Sequence, residues 1–196
     1  MATTALFAEV LVVGLLALPW FTLTVLSLTR ANLQTLPDVH GWDGLVLAVG
    51  LAFAYALGIV VDRLGDWAFE RWDERLSQAI RRTESESATL PDRTELRFRL
   101  MGRAPSTVLD FLDYARSRRR ILRGVVVNSV LTLVTAFGAI AFSRINGTLA
   151  APAAVLVILI AISAGLSVTA AFGWWHIGLM YYRRSLLAYR LFAARE

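Results

Sequence analysis

Apolar positions in this chain gather into two pairs of long runs, residues 5–28 and 44–61, then 125–142 and 151–173, with one polar stretch between the pairs. Each run is close to the roughly 20 residues that a helix needs to cross a bilayer. The pattern predicts an all-α membrane protein with four transmembrane helices, whose helical extensions form a small cytosolic part. Residues 1–61 then hold the first two spans, 62–120 a cytosolic helical segment, 121–182 the other two spans, and 183–196 a basic tail.

The second run does not stop where its apolar stretch ends. Leu64, Ala68, Trp72, Leu76 and Ile80 recur every four residues, with Asp66, Glu70, Asp73 and Glu74 on other faces. This is an amphipathic helix with an apolar stripe. Continuous from Gly44 to Arg82, it would measure about 58 Å at the helical rise. Residues 83–91 are polar and end at Pro91, as a solvated loop does. Residues 95–100 alternate charged and apolar side chains. Period two points to a short strand, which would need a partner, or else the segment belongs to a helix. A further helix begins near residues 104–110, where Thr107 and Asp110 have capping-box spacing, and runs on into the third span. Its cytosolic part and the stripe are expected to pack as a stalk and to couple the cytosol to the membrane. The fourth span continues inward to about Ala194.

Two features bear on packing within the spans. Pro19 lacks an N–H and crowds the Leu15 carbonyl, so the first helix is expected to kink. Gly50, Ala54 and Gly58, and again Gly165, Thr169 and Gly173, form ridges of small residues that let backbones approach closely. Such ridges serve contacts inside one bundle or between subunits.

Composition agrees with the pattern. The chain is 57% hydrophobic with a mean hydropathy of +0.57, too apolar for an ordinary soluble domain. It has no cysteine, which excludes disulfides, thiolate metal sites and cysteine nucleophiles. All twenty basic residues are arginine, which suits a GC-rich bacterial genome and excludes a lysine Schiff base. The first nine residues hold no basic residue, so the first run reads as a span and not as a signal peptide. Fourteen arginines fall between residues 62 and 123 and four in the tail, against one in each remaining loop, Arg30 and Arg144. By the positive-inside rule, both termini and the middle segment face the cytosol of a bacterial inner membrane.

Candidate chemistry is sparse. Glu9, Asp62, Arg63, Arg123, Asn128 and His176 are expected to form a polar layer near the inner leaflet. Buried charges at membrane depth often mark a gate, ion site or proton site, while shallow ones snorkel to the interface. Arg116, Arg118, Arg119, Arg120 and Arg123 abut the same boundary and are expected to face anionic lipid. Asp110 and Asp113 sit beside that run, and nucleic acid is not an expected partner. His40 and His176 fall on opposite sides of the membrane and cannot share a metal. Residues 146–148 match a glycosylation sequon, which here marks a turn. No nucleophile–base pair or ligand set is evident, so neither catalysis nor a cofactor is expected.

In architecture alone the chain resembles small membrane effectors of bacterial stress and antiphage systems, which pair a few spans with a cytosolic sensing part. Architecture does not carry function. The leading expectation is an oligomeric channel or membrane-perturbing effector answering a cytosolic protein partner or signal. The alternatives are a membrane anchor or scaffold that recruits a cytosolic protein, and a small proton-coupled transporter using Glu9.

Overall fold

A computed structural model describes residues 2–29, 43–84, 93–146 and 152–192. The expected outer loops with His40, the polar loop after residue 84, most of the sequon and the last four residues lie outside these. The described residues form six helices: α1 (Ala2–Leu15), α2 (Leu18–Thr29), α3 (Asp43–Glu84), α4 (Arg93–Arg103), α5 (Ser106–Asn146) and α6 (Ala153–Phe192). No strand occurs among them. Four stretches, Leu6–Thr29, Asp43–Thr83, Ser106–Arg144 and Ala153–Phe192, are long and apolar enough to cross a membrane.

The three longest helices set the architecture. α3, α5 and α6 hold 42, 41 and 40 residues, each about 60 Å long at 1.5 Å per residue. Each has an apolar half and a polar half. The apolar halves join α1 and α2, and the polar halves join α4 in a compact head.

The first apolar run breaks where Pro19 predicts a kink. The Ala17 N–H turns to the Gly14 carbonyl at 3.0 Å, and regular spacing resumes when the Phe21 N–H meets the Ala17 carbonyl at 3.1 Å. Pro19 has no N–H to return to Leu15, so the ladder cannot run straight through. Two small cores flank this break. Val13, Ala17 and Val61 pack with Trp20, Leu57 and Val127, and Leu23, Ala136 and Leu156 pack with Ile140 and Ile160.

Glycine permits the closest crossing, between α1 and α3. A Cβ on Gly14 would fall on the Ala54 carbonyl, and one on Gly58 would fall on the Val10 carbonyl. Gly14 thus completes the ridge that Ala54 and Gly58 supply on α3. Among the described residues nothing lies within 4 Å of the position a Cβ would take on Gly50 or Gly165, while one on Gly173 would stand 3.3 Å from Leu122. The Thr169 side chain is exposed, and its hydroxyl donates to the Gly165 carbonyl at 2.9 Å.

In the head, Leu76 and Ile80 of α3, Leu96 and Leu100 of α4, Leu112 of α5, and Tyr182, Leu186 and Tyr189 of α6 form one core. One open alternative is decided here and one expectation changes. Residues 95–100 are helical, because Leu96 and Leu100 stand one turn apart and enter the core together, while Phe98 between them is 70% exposed. An (i, i+4) ion pair, Arg99 to Glu95 at 2.6 Å, adds to the helix and raises the arginine above its ordinary pKa. The stripe on α3 also divides. Leu76 and Ile80 are buried, whereas Leu64, Ala68 and Trp72 are exposed. Steps of four advance about 40° around a helix, so five such positions cannot share one narrow face. The line that is buried mixes threes and fours: Ala54, Gly58, Val61, Gly65, then Asp73, Leu76 and Ile80. α5 starts at Ser106, leaving Thr107 inside the first turn, and the Pro105 carbonyl accepts from Val108 at 3.0 Å.

Leucine at Gly14 or Gly58 should force α1 from α3, an overpacking penalty of about 1–3 kcal/mol or more. Melting in mild detergent should fall by several degrees for either variant, and Gly138→Leu, where a side chain meets open space among the described residues, should melt as the parent does. Equal losses at Gly58 and Gly138 would contradict the crossing.

Candidate functional site

The apolar half meets the head at a layer of charge built from two helix faces. On α5, Arg119, Arg120 and Arg123 share a face at helical spacing; on α3, Asp62, Asp66 and Asp73 do the same. Arg120 meets Asp62 at 3.4 Å and Arg123 meets Asp66 at 2.7 Å. Arg119 pairs with Asp73, and both side chains are only 8% exposed.

Arg119 and Asp73 are the most enclosed charges of the layer. The Arg119 guanidinium lies 5.3 Å from the ring centre of Trp174, 5.2 Å from Tyr182 and 5.8 Å from Tyr181. Electron-rich faces replace part of the hydration it has given up. Phe69 meets Trp174 edge-on, with centroids 4.8 Å apart, closing that wall. Gly178 makes the room, since a Cβ there would stand 2.7 Å from Leu76 and 3.3 Å from the guanidinium. Three helices thus converge on one buried ion pair.

The expected lipid-facing run Arg116–Arg123 accordingly divides. Arg119, Arg120 and Arg123 turn inward because α3 offers carboxylates at matching heights. Arg118 stays exposed, 5.0 Å above the Tyr114 ring, and Arg116 is exposed on the head. The expected polar layer also divides. Asp62 and Arg123 belong to the junction. Glu9, half-buried on α1, accepts a hydrogen bond from the Ser117 hydroxyl and ties the first helix to α5. Arg63 is 80% exposed and reaches Asp66 only at 3.9 Å. His176 is exposed, its ring stacked on Phe172.

Asn128 lies apart from that layer, inside the apolar half. Its side-chain amide donates to the Val13 carbonyl at 2.7 Å, and its oxygen accepts from the Trp20 indole N–H at 2.9 Å. It therefore bridges both sides of the α1–α2 break, satisfying backbone that the kink would leave bare. The nearby Thr132 and Thr135 hydroxyls bond carbonyls of their own helix. Neither needs a water path for its hydrogen bond.

Sequence reasoning missed Asp73, Trp174, Gly178, Tyr181 and Tyr182. The signal for Asp73 was its helical register with Asp62 and Asp66. Nothing in the α6 sequence marks its aromatic residues as a cage before α5 is placed beside them.

Among the described residues no group of three or more His, Asp or Glu side chains could hold a metal ion. The fold defines an all-helical bundle with four candidate membrane spans, a coarse class that suggests a multi-pass membrane protein. No family of known proteins matches the chain, and neither a curated protein nor a solved structure resembles it closely enough to count as a match.

Breaking the buried pair from one side strands the other charge, at about 3–5 kcal/mol, whereas replacing both with apolar groups can be neutral. Arg119→Met alone should therefore lower stability to reversible denaturation in detergent by that order. The Arg119→Met/Asp73→Leu double variant should recover most of it. A double variant as weak as the sum of the single ones would show that the two charges act separately.

Proposed function

We propose that this protein is a bacterial inner-membrane effector: a homo-oligomer whose cytosolic head answers a signal or partner and whose spans then perturb or conduct across the membrane. One observation carries the reading. α3, α5 and α6 run unbroken from the head into the spans; ion pairs join α3 to α5 at the junction, and rings of α6 enclose the buried one, Arg119–Asp73. A movement in the head thus reaches the membrane as a movement of whole helices and is not absorbed in a loop.

Orientation follows the arginine count, with the head, its junction and both termini on the cytosolic side. Oligomerisation is supported by two uncovered places within a single chain. The outer turns of α3, residues 43–53, are almost wholly exposed, and Gly50 and Gly165 present small surfaces that none of the described residues fills. Small residues on lipid-facing helices suit contact with another copy.

The test is ion flux in proteoliposomes, comparing the parent with Ala68→Pro. Residue 68 is exposed on α3 between head and spans, so proline there interrupts the continuous helix without entering the core. Parent flux should exceed that of protein-free liposomes at least tenfold, and the proline variant, inserted equally well, should differ from the parent at least fivefold. Flux at the protein-free level in both would sink the effector reading and favour an anchor that recruits a cytosolic protein.

A further inference from the structure

A cavity of about 320 Å³ opens in the head, between α3, α4, α5 and α6. That lies within the range of small-ligand sites, about 300–1,000 Å³. Its wall has two chemistries. Leucines 96, 100, 109, 112 and 186 make it apolar, whereas Arg81, Arg116 and Arg119 and the carboxylate of Asp113 give it charge among the described residues, with Arg119 also paired to Asp73. Ser77 and Ser185 add hydroxyls, and the rings of Tyr181 and Tyr182 line the cavity beside Arg119.

A purely structural void would be lined by apolar groups alone, and a purely solvated cleft would not gather so many leucines. Convergent guanidiniums bind phosphate oxygens well, because the planar fork of donors matches them. Arg119 brings a further feature: its Nε–H is buried and has no hydrogen-bond partner among the described residues. With almost no accessible surface, that N–H faces Gly178 and is a cost inside the junction, not a donor to the cavity.

We propose that this cavity binds a phosphomonoester carrying an apolar or aromatic body, with the phosphate toward Arg81, Arg116 and Arg119 and the body among the leucines. This deepens the proposed function by naming the chemistry of its signal, and it rests on that reading only for its consequence. An anion in the cavity competes with Asp73 for Arg119, and so acts on the junction that fixes head to spans.

Binding is measured without reference to flux, so a failed effector reading leaves the site testable and the reverse also holds. The protein in nanodiscs is titrated by calorimetry against empty nanodiscs. The probes are 2-naphthyl phosphate, the neutral 2-naphthol, inorganic phosphate and a single-chain lysophosphatidic acid. Both organic phosphates should bind saturably, at least tenfold more tightly than naphthol or inorganic phosphate. The tighter of the two assigns the source, a soluble aromatic ester or a membrane-derived lipid. The double change Arg81→Gln/Arg116→Gln should weaken binding at least tenfold, and so should Leu109→Trp, which fills the cavity from a half-buried position. Both variants are first required to show parental helicity and melting; a third, Met101→Trp at the exposed rim, replaces any that does not. No saturable binding above empty nanodiscs, or binding unchanged in the folded variants, would overturn the proposal.

Discussion

One buried ion pair constrains this fold more than any other contact. Arg119 and Asp73 have given up most of their water, and a pair in that position is tolerable only where geometry and surrounding groups replace it. The replacement comes from three directions: the carboxylate from α3, the guanidinium from α5, and the aromatic walls of Trp174, Tyr181 and Tyr182 from α6. Gly178 must stay small for the third helix to come that close. A rotation of any of the three helices would uncover a charge, so their register is fixed together. Apolar packing alone is more forgiving, because leucines tolerate small slides that an ion pair does not.

The same economy governs the polar groups of the apolar half. The break at residues 16–17 exposes backbone, and Asn128 covers it from α5 while holding the Trp20 indole on the far side. Glu9 and Ser117 tie the middle of α1 to α5. α5 therefore carries a polar partner for each weak point of its neighbours, from the head to the kink. The hydrophobic contacts around these points fill space, and the polar contacts choose the arrangement.

Much of the architecture was legible because periodicity and length act locally. The apolar runs, the Pro19 kink and the long extensions follow from the residues that compose them. The parts left open or misread needed knowledge of a neighbour. Residues 95–100 alternate like a strand, yet a core slot with one-turn spacing at Leu96 and Leu100 makes them helical. The basic run resembles a lipid anchor until the aspartates of α3 stand opposite. Steps of four looked like a stripe, but the buried line follows 3.6 residues per turn. His176 was grouped with Asp62 by depth, and depth carries no information about which way a side chain faces.

The central claim, that the Arg119–Asp73 junction makes head and spans one mechanical body, is most directly tested by hydrogen–deuterium exchange in nanodiscs. Asp73→Asn removes one charge at nearly constant shape. The account predicts faster exchange across residues 66–80, 115–127 and 174–186 together, extending to residues 9–15 of α1. Faster exchange confined to the turn around residue 73, with α5, α6 and α1 unchanged, would contradict it.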